Sequence, residues 1–256
     1  MAKRTRLGML TPSSNTVLEP VTCAMLAGLD DVSAHFSRFP VTEIALSPGA
    51  LAQFDDAPIL VAAELLAHAK VDVIAWNGTS SGWLGFAADE RLVARITEQT
   101  GIAATTSMLA LNEVLAARGV RRVGFVTPYL DAVQARIVAN YAALGFECVA
   151  ERHLGLQDNF SFSGVEEATL AGMIRAVAAD RPDAIAIICT NLRAAGLVAA
   201  LEAETGIFIC DTIADHLYRR RQVAKLHRLS SKRIHYRLGI LGACQFRATL
   251  ASVPAA

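Results

Sequence analysis

A cysteine and a glycine occupy equivalent positions in two similar segments of this chain. Residues 71–79 read VDVIAWNGT and residues 182–190 read PDAIAIICT, so that Gly78 aligns with Cys189. Each segment is a short apolar run that ends in small polar residues, which is typical of a strand followed by a loop. If the two segments face each other, one wall of a cleft carries a thiol and the other carries no side chain. Because a thiol can donate a proton or act as a nucleophile, the pattern predicts that Cys189 is the catalytic residue.

The position of Cys189 also suggests its ionisation state. A helix is predicted to begin just after it, and the N-terminus of a helix favours a thiolate and lowers the pKa of a cysteine. The alternative is a buried cysteine with a structural role, since free cysteines are among the most buried residues. The other cysteines, at positions 23, 148, 210 and 244, have no place in the repeat and are predicted to be structural.

Small polar residues near both positions are candidates for binding a substrate anion. Thr79 and Ser80 follow Gly78, and Thr190 follows Cys189. Hydroxyls and free backbone N–H groups can bind a carboxylate or an enediolate, although the same residue types also cap helices. Tyr129 lies in a further polar loop, where its hydroxyl could donate to an oxyanion or its ring could simply pack.

Two further pairs of similar segments indicate that the chain is a duplication. RLGMLTP at 6–12 matches RVGFVTP at 122–128, and TGI occurs at 100–102 and again at 205–207, in the same order. Short apolar runs alternate with helical patterns, which favours parallel sheets covered by helices on both faces. Strands are predicted at residues 7–10, 71–76, 123–126, 184–188 and 207–210. Helices are predicted at residues 58–69, 90–99, 108–118, 132–144, 166–179 and 192–204.

The predicted fold class is α/β, with two similar domains that each contain a parallel sheet flanked by helices. A pseudo-two-fold axis is expected to relate the domains. The first is predicted to span residues 1–110 and the second residues 111–215, with the C-terminal segment 216–256 returning to the first. Ligands of open α/β sheets bind at the carboxyl ends of the strands. The polar loops TPSSNT, NGTSSG, TPYLDA and CTNLRAAG all follow predicted strands.

The composition excludes several classes of function. The 256 residues carry no net charge and are 53% hydrophobic, so no nucleic-acid and no membrane partner is expected. No metal and no cofactor are expected, because the histidines lack ligand spacing and no phosphate-binding glycine motif follows a strand. Scattered cysteines indicate reduced thiols in a cytoplasmic protein. A homo-oligomer is left open, and the basic run from Arg219 is interpreted as a solvated face or, alternatively, as a site for an anionic partner.

These residues resemble the aspartate/glutamate racemase superfamily, in its maleate isomerase and arylmalonate decarboxylase branch. The resemblance extends over about residues 4–218 and implies two similar α/β domains, an active site between them and no cofactor. Racemases and maleate isomerases carry a cysteine in each half, whereas Gly78-Thr79-Ser80 with Cys189 resembles the decarboxylase pattern. The segment TPYLDAV, which contains Tyr129, resembles the decarboxylase loop that helps to form a dioxyanion hole.

Two asparagines instead resemble those of the isomerase. PSSNT at 12–16 is similar to the maleate isomerase loop whose asparagine holds a substrate carboxylate, which implies that role for Asn15. DNFSF at 158–162 is similar to the segment that supplies another asparagine, here Asn159. Both residues suggest a substrate that is smaller and more polar than an aryl malonate.

The single thiol favours decarboxylation over the other reactions of this branch. Two-base racemisation needs a proton acceptor on each face of the carbon, and isomerisation needs a nucleophilic thiolate at the first site, but Gly78 supplies neither. Decarboxylation of a malonate needs stabilisation of an enediolate and one acid to protonate it. The predicted function is a cofactor-independent decarboxylase of a small malonate-type dicarboxylate. The alternatives are a maleate isomerase-like or racemase-like enzyme and a non-catalytic dicarboxylate-binding protein.

Overall fold

Two parallel sheets of four strands form the frame of the molecule in the computed structural model, which describes residues 4–214. The strand order is β2-β1-β3-β4 in the first sheet and β6-β5-β7-β8 in the second. The strands are β1 (Thr5–Pro12), β2 (Val32–Phe39), β3 (Val73–Trp76), β4 (Ala104–Thr106), β5 (Arg122–Thr127), β6 (Glu147–His153), β7 (Ala184–Ile187) and β8 (Phe208–Asp211). Every pairing within the two sheets is parallel.

Helices connect the strands, as parallel pairing requires. They are α1 (Leu18–Leu26), α2 (Pro48–Ala52), α3 (Asp56–His68), α4 (Ser81–Leu84), α5 (Ala87–Thr100), α6 (Ser107–Ala117), α7 (Asp131–Ala143), α8 (Glu167–Ala178) and α9 (Val198–Thr205). Two short 3-10 helices span Ser161–Gly164 and Ala195–Leu197. Within residues 4–214, no helix has both the length and the apolar character needed to span a bilayer.

The sequence repeat is also a structural repeat. If the strands of the second sheet are counted from β5, their order is the same as that of the first sheet. The two TGI triplets end α5 and α9, where Gly101 and Gly206 have φ angles of 69° and 70°. This left-handed conformation favours glycine, which explains why the residue recurs at the same place in both halves.

In each half, one aspartate links the starts of the two central strands. Asp72 accepts a hydrogen bond from the backbone N–H of Arg6 at 2.8 Å. In the second half, Asp183 accepts one from the backbone N–H of Arg122 at the same distance. These aspartates precede β3 and β7, so they set the positions of the two strands whose other ends carry Gly78 and Cys189.

The central strands β3 and β7 are buried along their whole length. Their sequences, VIAW and AIAI, are continuously apolar because helices cover both faces of each sheet. A single hydrophobic cluster contains residues of both sheets, such as Trp76 of β3 and Ile187 of β7. The two halves therefore pack against each other, and the ends of β3 and β7 are held in a dry environment.

The structure confirms the predicted fold class, with each half a parallel sheet flanked by helices. The five predicted strands correspond to β1, β3, β5, β7 and β8. Three others were not predicted: β2 and β6 are edge strands with mixed polar sequences, and β4 has only three residues. Such strands lack the continuous apolar run on which the prediction depended.

The prediction of a helix at 192–204 was wrong at its start. The chain after β7 first forms an irregular loop and a 3-10 turn, and α9 begins only at Val198. The predicted domain boundary between residues 110 and 111 falls within α6 and stays a prediction. The return of segment 216–256 to the first domain and the basic run from Arg219 lie outside the described residues.

Candidate active site

Four polar loops, two from each half, meet at the carboxyl ends of the central strands. The hydroxyl of Thr190 donates to the backbone carbonyl of Asn77 at 2.9 Å, which joins the loops after β7 and β3. Asn15 Nδ2 donates to Thr190 Oγ1 at 3.1 Å, which adds the loop after β1. Thr79 Oγ1 and the hydroxyl of Tyr129 are 2.7 Å apart, which adds the loop after β5. The loops named in the sequence analysis thus form one hydrogen-bonded cluster.

Cys189 lies at the centre of this cluster and is 2% exposed. Its backbone N–H donates to Thr212 Oγ1 at 3.2 Å, and its Sγ accepts the backbone N–H of Asn191 at 3.3 Å. The hydroxyl of Tyr129 also lies close to the sulfur. These contacts hold both the backbone and the sulfur of Cys189 in a fixed position.

The structure does not support the expected thiolate form of Cys189. Burial raises the pKa of this thiol to about 12, and the N–H groups of Asn191 and Leu192 offset the effect only in part. The helix that was expected to stabilise a thiolate begins only at Val198, too far along the chain to act on the sulfur through its first turn. Cys189 is therefore a neutral thiol at ordinary pH, which suits an acid better than a nucleophile.

The space beside Gly78 is filled by an aromatic side chain. A Cβ atom built on Gly78 would lie 1.9 Å from Cζ2 of Trp76. Trp76 is 1% exposed and packs against Phe39, with 5.0 Å between ring centroids. Position 78 consequently has no room for any side chain, and the indole occupies the place where a second thiol would begin.

Thr79, Ser80 and Tyr129 are all buried next to this position. Ser80 precedes α4 but its side chain makes no capping hydrogen bond, so the capping role considered for it is not observed. The ring of Tyr129 is fixed edge-on by two aromatic neighbours, Trp83 and Phe162, at 5.2 and 5.7 Å. Burial raises the pKa of Tyr129 well above its ordinary value. Its hydroxyl is thus neutral, shares a hydrogen bond with Thr79 and lies close to Cys189.

Both predicted carboxylate-binding asparagines already have protein partners. Asn15 Oδ1 accepts the backbone N–H groups of Val17 and Leu18, at 3.0 and 2.9 Å, and so caps the start of α1. Asn159 Nδ2 donates to the hydroxyl of Ser14 at 2.7 Å. In this structure the two amides therefore connect loops of the site to one another.

Asn191 is the site residue that the sequence analysis missed. Its Oδ1 accepts the backbone N–H groups of Thr16 and Val17, and its Nδ2 donates to the carbonyl of Asn159 at 2.6 Å. One side chain therefore connects the Cys189 loop with two of the neighbouring loops. Its position just after the Cys-Thr pair was a usable signal, because a polar residue there continues the loop that carries the thiol.

A strap between the two halves closes one side of the site. Residues 42–44 of the first half run antiparallel to residues 157–159 of the second, with an isolated bridge between Glu43 and Asp158. The N–H of Ile44 donates to the carbonyl of Gln157, and the N–H of Asn159 donates to the carbonyl of Thr42, both at 2.9 Å. The strap holds Asn159 beside the loop after β1.

The titratable residues of the site form no metal centre. Among residues 4–214, no group of three or more histidine, cysteine, aspartate or glutamate side chains is arranged to hold a metal ion. In the loop cluster the described residues supply one thiol, one phenol, side-chain amides, several hydroxyls and backbone N–H groups.

Comparison with known proteins identifies the family. The model of the arylmalonate decarboxylase family matches residues 18–228, and the chain belongs to this family. A maleate isomerase of Pseudomonas putida is 28% identical over 218 residues, which cover 80% of this chain and 86% of the relative. An arylmalonate decarboxylase of Bordetella bronchiseptica is 33% identical over 138 residues, 53% of this chain and 58% of the relative. The resemblance to this branch of the racemase superfamily is thereby confirmed.

Solved structures show the same fold over most of the chain. Maleate isomerase Iso from Pseudomonas putida S16 superposes with a TM-score of 0.80 at 23% identity, covering 87% of this chain and 94% of that one. A liganded variant of arylmalonate decarboxylase, with glycine changed to cysteine and cysteine to serine, has a TM-score of 0.76 at 22% identity, covering 87% and 93%. The chain is an enzyme of the decarboxylase and isomerase type found in this family.

Proposed function

We propose that the protein is a cofactor-independent decarboxylase of a small malonate-type dicarboxylate. Cleavage of the bond to one carboxylate releases carbon dioxide and leaves its electron pair in an enediolate. Thr79, Ser80, Tyr129 and neighbouring backbone N–H groups bind the enediolate oxygens. Cys189 then gives its thiol proton to the carbon, and the resulting thiolate takes a proton from water to restore the enzyme.

The contact between Gly78 and Trp76 carries this proposal. With a Cβ position 1.9 Å from the indole, the first half cannot provide a base or a nucleophile at residue 78. The relatives are named for isomerisation and for decarboxylation. Of these two reactions, decarboxylation is the one that a single acid can complete. The pKa of Cys189, raised to about 12 by burial, supports the same reaction because the thiol remains protonated.

Maleate isomerisation is the second candidate, and the relatives favour it. The maleate isomerase of Pseudomonas putida matches 80% of this chain, whereas the arylmalonate decarboxylase of Bordetella bronchiseptica matches 53%. In this alternative Cys189 would add to the double bond as a lone thiolate, with Asn15 and Asn159 holding the two carboxylates. Its raised pKa disfavours that step, and both amides would have to exchange their protein partners for substrate.

Turnover of a small substrate panel tests the proposal. The panel is phenylmalonate, methylmalonate, maleate and each enantiomer of aspartate, assayed for carbon dioxide release, fumarate formation and racemisation. We expect carbon dioxide release from a malonate in the parent protein, loss of at least about 100-fold in Cys189→Ala, and retention in the control Cys210→Ala. Fumarate from maleate without malonate turnover would replace the proposal by the isomerase. Activity that survives in Cys189→Ala would contradict both.

The proposed setting follows from the thiol chemistry. Within the described residues Cys23, Cys148, Cys189 and Cys210 form no disulfide, which is typical of proteins in a reducing compartment. We therefore place the enzyme in the cytoplasm, with a small dicarboxylate as its partner and no requirement for a cofactor. A homo-oligomer stays untested.

A further inference from the structure

A buried carboxyl group lies behind Cys189 and has no part in the proposed reaction. Asp211 is the last residue of β8, is 1% exposed and pairs in register with Ile187 at the end of β7. The first half has Thr106 at the same offset from its TGI triplet. The two halves therefore differ here as they do at Gly78 and Cys189: the half with the thiol also has the carboxyl.

One oxygen of Asp211 organises the backbone around Cys189. Oδ1 accepts the N–H of Ile213 at 2.9 Å and so fixes the turn that follows β8. Thr212 lies within that turn, where its N–H donates to the carbonyl of Ile187 at 3.3 Å and its Oγ1 accepts the N–H of Cys189 at 3.2 Å. The carboxyl thus acts on the position of Cys189 through a single intervening residue.

The other oxygen of Asp211 is inaccessible and has no partner among residues 4–214. A carboxylate in such a place is costly, because it loses its hydration without gaining donors. The burial raises the pKa of Asp211 to about 7. Its negative charge in turn raises the pKa of Cys189, and Tyr129 is the other titratable group at that sulfur. A thiolate beside this carboxylate would place two negative charges close together in a dry environment.

We propose that Asp211 is a positioning residue for Cys189, which fixes the cysteine through the Thr212 turn and places a buried carboxyl group behind its sulfur. The inference rests on the proposed function, in which Cys189 serves as the acid. It gives a physical role to the carboxyl in the half that carries the thiol. It also predicts that removal of the charge changes the thiol even when no substrate is present.

The test is a titration of the thiol in Asp211→Asn, which keeps the size and the Oδ1 acceptor but removes the charge. Thiolate absorbance in the ultraviolet is followed against pH, with the same titration of Cys189→Ser subtracted. We expect the pKa of Cys189 to fall by about one unit. Asp89→Asn is the matched control, because Asp89 is also buried, with a pKa raised to about 6 by burial, but accepts its hydrogen bond from Thr106 in the first half.

A second variant tests the same inference if Asp211→Asn does not fold. Asp211→Thr copies the first half, where Thr106 Oγ1 accepts the N–H of Leu109 at 3.0 Å and keeps the turn intact without a charge. It should lower the pKa of Cys189 as Asp211→Asn does, and Asp211→Glu should restore it in part. In both neutral variants the alkaline limb of the pH profile of kcat/KM should move to lower pH.

Four outcomes of these titrations are distinguished. An unchanged pKa of Cys189 in either folded neutral variant overturns it, and so does an equal fall in Asp89→Asn. A fall that is confined to the Asp211 variants supports it. If that fall occurs in a protein that turns over no malonate, the proposed function fails while the effect of Asp211 on the thiol stands.

Discussion

The indole of Trp76 fills the space at the Cβ position of Gly78, just after β3. This contact forms the first wall of the site. The indole comes from the residue two positions earlier, so its direction is set by the strand on which it lies. Glycine at 78 is then a packing requirement, since the nearest indole atom is 1.9 Å from its Cβ position. The absence of a thiol at residue 78 and the burial of the Trp76 indole therefore belong to the same packing arrangement.

Gly78→Ala should lower the free energy of unfolding by about 1–3 kcal/mol, because the new methyl group overlaps the indole. Combining it with Trp76→Leu should cost less than the sum of the two single changes. The control is Gly82→Ala in α4, where the nearest side-chain atom lies at 3.4 Å and no loss is expected. Denaturant unfolding of the four variants measures the coupling. Equal stability of Gly78→Ala and the parent would show that the indole does not fill this space.

Tyr129→Phe should reduce kcat by about 10- to 100-fold, because it removes one neutral donor from the proposed enediolate site. The melting temperature should change little, since the ring still packs between Trp83 and Phe162. Tyr141→Phe makes the same change in a ring that packs against Phe86 and Phe125. Steady-state kinetics on the active malonate separate the two variants. A similar loss in both would assign the effect of Tyr129 to packing.

At the scale of elements, the strap of residues 42–44 and 157–159 joins the halves over the site. Its first strand is held by Gln53, whose Oε1 accepts the N–H of Thr42 at 2.7 Å and whose Nε2 donates to the carbonyl of Glu43 at 3.1 Å. Thr42 in turn accepts the N–H of Asn159 at 2.9 Å. A side chain outside the site therefore sets the position of a predicted substrate-binding residue.

Gln53→Ala should raise KM several-fold with a smaller change in kcat, because the strap loses its anchor while Cys189 and Tyr129 keep their contacts. Gln99→Ala is the comparison variant, since Gln99 donates to Glu64 on the helix surface, away from the strap. Initial-rate kinetics on the active substrate distinguish binding from chemistry. A fall in kcat with KM unchanged would mean that the strap serves the reaction itself and not the binding of substrate.

At the scale of the whole molecule, two buried carboxyl groups link stability to pH. Burial raises the pKa of Asp89 from 3.8 to about 6 and that of Asp211 from 3.8 to about 7. Between the unfolded pKa of 3.8 and its folded pKa, each carboxyl is protonated in the folded protein but ionised in the unfolded chain. The folded protein then binds more protons, so stability falls as pH rises. Above its folded pKa, Asp89 costs the folded state about 3 kcal/mol and Asp211 about 4 kcal/mol.

The free energy of unfolding should therefore decrease from about pH 5 to pH 8. Asp89→Asn and Asp211→Asn should each flatten this dependence, because neither introduces a group that must ionise inside the protein. Urea unfolding at several pH values measures the slope. The exposed Glu204→Gln should leave the slope over this range unchanged, since Arg175 lowers the pKa of Glu204 and neither group titrates between pH 5 and pH 8. Stability that rises from pH 5 to pH 8 would refute this account of both carboxyls.

Several features of the protein were determined by the sequence alone, because they depend on local patterns. The repeat located β3 and β7, the apolar runs indicated buried parallel strands, and the helices predicted at 90–99 and 192–204 ended close to the observed ends of α5 and α9. The alignment of Gly78 with Cys189 and the polar loops after the strands identified the candidate site. Edge strands such as β2 and β6 could not be found this way, because half-exposed strands carry mixed residues.

The chemistry open to the site residues depends on how the chain packs in three dimensions. The ionisation of Cys189 depends on burial by both halves, which reversed the expectation drawn from the chain that follows it. The indole beside Gly78, the links made by Asn191 and the approach of Asp211 to the thiol all depend on which strands and loops become neighbours. A pattern along the chain encodes periodicity and turn chemistry, but solvation and charge are set by contacts between residues that are distant in sequence.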